Sequence, residues 1–270
     1  TPDRMTDARE KVLAVLRDYG GLSFTLGEVA EMAGVGTSVV KGLVKLGAVS
    51  EEEAPRDTPY PALDPEYGGK ELSADQAAGA DALRAALRSG SYSTTLLKGV
   101  TGSGKTEVYL EAVAECLRMG RQALVLLPEI ALSGEFINRV EARFGMKPAE
   151  WHSGVTMTER RRCWRMVGQG DAQMVVGARS ALFLPYRDLG LIVVDEEHDT
   201  SYKQEDGVLY NARDMAVLRA AINGAQVVLA SATPSLESWA NADAGKYARL
   251  ALTSRFGAAV MPKMAAIDMR

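Results

Sequence analysis

The stretch Thr94-Thr95-Leu96-Leu97-Lys98-Gly99-Val100-Thr101-Gly102-Ser103-Gly104-Lys105-Thr106 decides the fold. Its last eight residues satisfy G-x-x-x-x-G-K-[S/T], the phosphate-loop pattern. They follow an apolar, β-branched run and open a helical one, Glu107–Met119. That setting is what the chemistry needs. Glycines let backbone N–H groups converge on phosphate oxygens without Cβ interference, and the helix N-terminus adds a favourable dipole. Nucleotide binding is therefore expected at Gly99, Thr101, Gly102, Ser103, Gly104, Lys105 and Thr106. Lys105 would reach the β/γ-phosphates of ATP, and the Thr106 hydroxyl would ligate Mg²⁺. A glycine-rich turn alone leaves Lys105-Thr106 unexplained.

Working outward, residues 72–270 alternate β-rich and helical runs. Candidate strands are Thr94–Leu97, Gln122–Leu127, Gln173–Val176, Leu191–Asp195 and Gln226–Ser231. Between them lie helical stretches near Glu107–Met119, Ser133–Arg143, Thr158–Val167, Ala212–Ala221 and Ser235–Ala242. Near-continuous Val/Leu/Ile strands alternating with helices predict an α/β fold with a parallel sheet covered on both faces.

A phosphate loop needs a carboxylate partner for Mg²⁺ and for the attacking water. Leu191-Ile192-Val193-Val194-Asp195-Glu196-Glu197-His198-Asp199 supplies one. Asp195 emerges at the carboxyl end of a buried strand, the usual ligand crevice of an open α/β sheet. Asp195 is expected to hold Mg²⁺, Glu196 to polarise the water, and Glu197-His198 to couple this site to the next motif. A merely solvated acidic run would not follow four apolar residues.

Residues 1–57 read as a small helical unit. Ala8–Arg17 is stopped by Gly20-Gly21, a short apolar segment follows at Thr25–Ala33, and Ser38–Leu46 lies between a Gly34–Gly36 turn and Gly47. With Val49-Ser50-Glu51 after it, the order is that of a winged helix; a generic three-helix module is the plainer reading. This unit carries 7 Lys/Arg against 10 Asp/Glu, which weakens any grip on duplex DNA and favours protein docking as an alternative. Pro55, Pro59, Pro61, Pro65 and Gly68-Gly69 punctuate residues 55–71, and 58–71 reads as the linker.

Composition sets the outer bounds. The chain has 270 residues, 47% hydrophobic and 24% charged, with net charge −4. Disorder is excluded for most of it, and any nucleic-acid contact must be local. Two cysteines, Cys116 and Cys163, cannot build a cysteine-rich zinc site and fit a reducing, cytoplasmic setting. No apolar run is long enough to span a membrane, and Thr1-Pro2-Asp3-Arg4 shows neither signal peptide nor initiator Met, as expected of an excised or processed piece.

Asp195-Glu196-Glu197-His198, with Ser231-Ala232-Thr233 downstream, resembles the first RecA-like lobe of superfamily 2 helicases. Six blocks in order narrow the resemblance to the bacterial primosomal PriA helicase family: Gly99–Tyr109, Leu127–Leu132, His152–Gly154, Gly177–Pro185, Asp195–Gln204 and Ser231–Glu237. The resemblance implies an ATP-dependent 3′→5′ DNA helicase of replication restart. Its partners would be forked and single-stranded DNA and primosomal and replication proteins. It also implies that this chain carries the winged helix (1–57) and lobe one (72–270), with the second lobe and the zinc-binding insertion lying elsewhere in the parent protein.

By position, the resemblance assigns adenine reading to Gln76, the DNA backbone to Pro128-Glu129-Ile130, Arg179 and Ser180, and coupling of hydrolysis to movement to His198, Ser231 and Thr233. Where family members carry an aromatic-rich stretch after Lys203-Gln204, this sequence has Glu205-Asp206-Gly207-Val208-Leu209-Tyr210, without Trp. Separately, Arg160, Arg161, Arg162 and Arg165 surround Trp164 and form the densest positive run. Arg161 and Arg165 are candidate DNA contacts; a solvated face with Trp164 packed inward is the simpler alternative. Two further readings stand beside the helicase: a phosphate-loop ATPase not acting on DNA, and a non-catalytic interaction or regulatory piece.

Overall fold

The computed structural model describes residues 5–19, 24–51, 58–128 and 134–253. The chain divides into two compact units, 1–58 and 59–270.

The first unit holds three helices: α1 (Asp7–Asp18), α2 (Leu26–Met32) and α3 (Thr37–Lys45). Thr25 starts α2 with a capping box, its hydroxyl accepting from the Glu28 N–H while the Glu28 carboxylate accepts from the Thr25 N–H. Val12, Val29, Ala30, Val40 and Leu43 form its core. The Gly20-Gly21 helix stop and the chain at 52–57 beyond Val49–Glu51 lie outside the described residues.

The second unit opens with α4 (Ala74–Arg88) and β1 (Ser93–Gly99), then α5 (Lys105–Arg118), β2 (Gln122–Leu126), α6 (Gly134–Phe144), β3 (Ala149–Trp151), α7 (Met157–Gln169), β4 (Met174–Gly177) and β5 (Leu189–Asp195). A two-stranded ribbon follows, β6 (Lys203–Gln204) with β7 (Tyr210–Asn211), and then α8 (Ala212–Asn223), β8 (Gln226–Ser231), α9 (Leu236–Asp243) and β9 (Ala248–Leu252). Seven strands form one sheet in the order β3-β4-β2-β5-β8-β1-β9, every pair parallel.

Side-chain alternation sorts the core into two layers. Leu97, Val125, Val193 and Val228 face the layer that α4, α5 and α6 cover. Leu96, Leu124, Ile192, Val194, Val227 and Leu229 face the layer of α7 and α8. A sheet buried on both sides has no polar face, so its strands read as apolar runs.

All five expected strands are present. Four more elements were outside the expected list: helix α4, the three-residue β3, the edge strand β9 and the β6–β7 ribbon. β3 is too short for a pattern, and β9 is mostly exposed with Arg249 as its second residue.

The expected linker over 58–71 is corrected. From Pro59 onward this segment packs on the second unit. Leu63 is 5% exposed, and its N–H donates to Gln173 Oε1 at 2.8 Å. The Asp64 N–H donates to the Phe144 carbonyl at 3.0 Å. Arg143 and Arg118 both donate to the Pro65 carbonyl, at 2.9 and 3.4 Å. The glycines here serve close approach: a Cβ on Gly68 would sit 3.0 Å from the Ala142 carbonyl oxygen.

Candidate functional site

Parallel register collects the motifs at one edge of the sheet. Lys98 lies opposite Ser231, and Asp195 opposite Ala230, so β8 stands between the phosphate-loop strand and the acidic strand. The carboxyl ends of β5, β8 and β1 therefore form one row.

The phosphate loop has the shape the glycines imply. Gly102 and Gly104 take φ +80° and +82°, a region closed to side chains at little cost only for glycine. A Cβ on Gly99 would collide with Ser103 Oγ, and one on Gly104 with Gln76 Nε2. Ser103 Oγ is buried without a hydrogen-bond partner. Lys105, nearly buried, donates from Nζ to the Gly99 carbonyl at 2.9 Å and lies 3.8 Å from Glu196 Oε1. A cradle that a Cβ would fill, an unsatisfied hydroxyl inside it and a lysine folded back over it fit a phosphate chain with its Mg²⁺.

Gln76 is 3% exposed and strung between two elements. Its Oε1 accepts from the Ser73 N–H at 2.9 Å, completing the α4 capping box, and its Nε2 donates to the Ser103 carbonyl at 2.8 Å. Both ends of the amide are thus engaged, so reading an adenine edge requires one of these bonds to exchange. The side chain as it stands is a strut from α4 to the phosphate loop.

Tyr109, on α5 and fully buried, donates its hydroxyl to Asp195 Oδ2 at 2.9 Å, and the Thr106 side chain hydrogen-bonds the same phenol. One ring therefore links both expected Mg²⁺ ligands. Burial raises the Asp195 carboxyl above its ordinary range, and the neighbouring Glu196 charge adds to this. The Tyr109 hydrogen bond, the Glu196 N–H and Lys105 pull it back. Burial and the Asp195 charge push the Tyr109 hydroxyl well up, so it remains a proton donor.

Glu196 follows at φ +46°, the one non-glycine residue with positive φ among the described residues. His198 Nδ1 lies 2.8 Å from Ser231 Oγ and 3.6 Å from Glu196 Oε2, and Ser231 Oγ accepts from the Thr233 N–H at 3.0 Å. Lys105, Glu196, His198, Ser231 and Thr233 thus form one connected set, which the phenol of Tyr109 extends to Thr106 and Asp195. Among the described residues no group of three or more His, Cys, Asp or Glu is placed to hold a metal ion, so Mg²⁺ here would rely on Thr106, Asp195 and the phosphates themselves.

The expected DNA residues are more dispersed. Arg179 Nη1 donates to the carbonyls of Ser201 and Lys203, both at 2.9 Å, clamping the base of the β6–β7 ribbon. Ser180 Oγ accepts from Trp151 Nε1 at 3.1 Å. Arg161 and Arg165 lie on α7, which packs against edge strand β3. Five strand spacings separate β3 from β1, roughly 24 Å at the usual interval. Trp164 is 53% exposed, not packed inward, while Arg162 stacks on Tyr60 at 4.1 Å and Arg160 donates to the His152 carbonyl. Of Pro128-Glu129-Ile130, only Pro128 lies within the described residues.

The residue pattern did not single out Tyr109 or the anchorage of Glu197. Tyr109 stands one helical turn after Thr106, which places the two side chains on one face of α5.

The helicase family described as DEAD/DEAH box helicase matches residues 76–242. The chain belongs to the DEAD/DEAH box helicase family. Within it, the chain is 51% identical over 175 residues to the replication restart protein PriA of Rickettsia felis, covering 65% of this chain and 27% of that protein. It is 39% identical over 252 residues to PriA of Bacillus subtilis, covering 93% of this chain and 31% of that protein. The chain is thus similar to PriA over a piece that spans roughly a quarter to a third of the length of these curated relatives. A solved structure of RecG bound to a three-way DNA junction superposes with a TM-score of 0.54 at 21% identity, over 71% of this chain and 25% of that one. At that identity the likeness concerns the fold, a RecA-like lobe. A helicase ATPase domain of this kind uses ATP and Mg²⁺.

Proposed function

We propose that this chain is the ATP-binding motor lobe of an ATP-dependent 3′→5′ DNA helicase acting in replication restart at stalled forks. The observation that carries the reading is the connected set from Lys105 through Glu196 and His198 to Ser231 at adjoining strand ends. Identity of 39–52% to curated PriA proteins supports its placement in restart.

Mg²⁺ supplies neutralisation of charge between the phosphates. The chain's own residues do the rest. The loop 99–104 presents N–H groups to the phosphates, and Lys105 exchanges the Gly99 carbonyl for them. Thr106 and Asp195, both held by Tyr109, face the metal position. Glu196 accepts a proton from the attacking water. His198 passes the change at Glu196 to Ser231, and Thr233 carries it toward α9. Arg179 ties the strand-end loop after β4 to the ribbon after the acidic motif, so a shift of one moves the other. Arg179, Ser180, Arg161 and Arg165 are the DNA contacts of this reading, which grip phosphates without reading sequence. The three-helix unit is a winged helix in this reading, with protein docking as its alternative role, and forked DNA and primosomal and replication proteins are the partners of the parent protein.

The test is ATP turnover of the full-length protein with and without forked and single-stranded DNA. DNA is expected to raise turnover, Lys105→Ala to lower it by about 10²–10³-fold, and Arg161→Glu with Arg165→Glu to weaken DNA binding. Equal turnover without DNA would overturn the helicase reading in favour of an ATPase not acting on DNA.

A further inference from the structure

The acidic motif holds a third carboxylate that the reading above does not use. Glu197 is 2% exposed, yet its carboxylate accepts four hydrogen bonds. The Ser235 N–H donates to Oε1 at 2.7 Å, and Oε2 receives Ser235 Oγ at 2.9 Å, Ser238 Oγ at 2.8 Å and Arg213 Nη1 at 3.5 Å. Arg213 also donates to Ser235 Oγ at 2.7 Å and to Asp214 Oδ1 at 2.8 Å, and lies 3.7 Å from Glu237. One carboxylate therefore joins three elements: the turn after β5, the N-terminus of α9 after Ser231-Ala232-Thr233, and the start of α8 at the foot of the β6–β7 ribbon.

Stability alone does not call for this arrangement. Burying an ion pair costs several kcal/mol of solvation per charge, and apolar side chains of equal volume commonly do as well or better. What such a network does supply is geometry. The residue before it, Glu196, sits in the left-handed region, which is unfavourable for a residue that carries a Cβ. The turn persists because both flanks are held. On one side the Glu196 N–H donates to Asp195 Oδ1 at 3.0 Å, and Tyr202 Oη donates to the Asp195 carbonyl at 2.6 Å. On the other the Glu197 N–H donates to the Ala230 carbonyl at 3.1 Å, and the Glu197 carboxylate is locked to α9.

We propose that Glu197 is a positioning residue for ATP hydrolysis: its buried carboxylate, gripped by Ser235, Ser238 and Arg213, holds the left-handed turn that aims Glu196 at the phosphate loop and makes that turn move with α9. This rests on the ATPase reading above. Motion of α9 is then transmitted directly to Glu196, in parallel with the His198–Ser231 contact.

The test uses the full-length protein with kcat and KM for ATP measured separately, together with the stoichiometry of a fluorescent ATP analogue. Glu197→Ala is expected to lower kcat by roughly 10- to 100-fold, the effect of misplacing a reacting group by about an ångström. KM and stoichiometry stay at their wild-type values, because Lys105 and its loop are untouched. Glu197→Gln keeps an acceptor for the Ser235 N–H and recovers most of the loss. Wild-type kcat in Glu197→Ala, or a kcat that falls only in step with binding stoichiometry, overturns the proposal. If Glu197→Ala does not fold, Ser235→Ala with Ser238→Ala decides: it leaves the carboxylate in place but loosens its grip, and an unchanged kcat refutes the role. Lys105→Ala separates the two levels. Unchanged ATP affinity and turnover in that variant, or no ATP turnover by the wild type, overturns the ATPase reading and Glu197 with it.

Discussion

Tyr109→Phe is the sharpest perturbation the site offers, because it removes one oxygen and leaves the ring in place. The Tyr109 hydroxyl donates to Asp195 Oδ2 at 2.9 Å inside the lobe, and the ring is fully buried. A hydrogen bond to a charged group contributes about 1.5–3 kcal/mol, and its loss leaves a buried carboxylate oxygen short of a partner. In a unit of this size each kcal/mol moves the melting midpoint about 2–4 °C, so the variant is expected to melt roughly 3–12 °C lower at neutral pH.

The effect has a pH signature. Burial raises the Asp195 carboxyl above its ordinary range. A carboxyl raised on folding adds a penalty that is absent below its unfolded pKa and complete above its folded one. The Tyr109 hydrogen bond offsets that penalty, so its loss matters most where Asp195 is ionised. The destabilisation should shrink as pH falls through the folded value. A double-mutant cycle by urea denaturation with Tyr109→Phe and Asp195→Asn isolates the pair, with an expected coupling of about 1.5–3 kcal/mol near neutrality. Coupling below about 0.5 kcal/mol, within the additivity of independent sites, or a loss that stays constant on acidification, refutes the reasoning.

Two further outcomes follow from the geometry. Gln76→Ala cuts the strut to the Ser103 carbonyl and half of the α4 capping box, so ATP affinity is expected to fall, and the loss of two bonds of about 1 kcal/mol each to lower the melting midpoint by roughly 4–8 °C; equal affinities for ATP and GTP in the wild type would mean that Gln76 reads no base edge and acts as a strut alone. Arg179→Ala frees the Ser201 and Lys203 carbonyls, two bonds of about 1 kcal/mol each, so amide exchange over residues 202–211 should accelerate by roughly 10- to 30-fold. Unchanged exchange there would show that the ribbon does not depend on Arg179.

The parallel sheet was readable because its central strands are buried on both faces and appear as unbroken Val/Leu/Ile runs. The glycine-rich loop at 99–106 and the acidic run at 195–199 were legible as motifs because the chemistry they point to tolerates few residue types. What stayed hidden depended on distant partners. Pro59 to Gly69 has the composition of a linker, and distant partners such as Gln173 and Arg143, 110 and 78 residues away from their contacts, make it part of the lobe. Asp195, Glu196, Glu197 and Asp199 look alike as a run of acids. Their roles separate because one left-handed residue turns Glu196 toward Lys105 and Glu197 into the protein. Trp164 sat on a helix whose covered face could not be assigned without knowing that α7 packs at the sheet's edge.

The strap at 59–71 also has a consequence in time. It is made before the surfaces that hold it. During synthesis at 5–20 residues per second, Pro65 waits for Arg143, and Leu63 for Gln173, over roughly 4–22 s. Through that interval Leu63 has no pocket, and the segment is as loose as its composition suggests. The lobe's opening residues are therefore fastened only after Arg143 and Gln173 are made, though before β8 and β9 arrive to pair with β1. A shortened chain that begins at Leu72 would keep the nucleotide loop while removing Leu63 and the Pro65 carbonyl, and with them acceptors for Arg118 and Arg143.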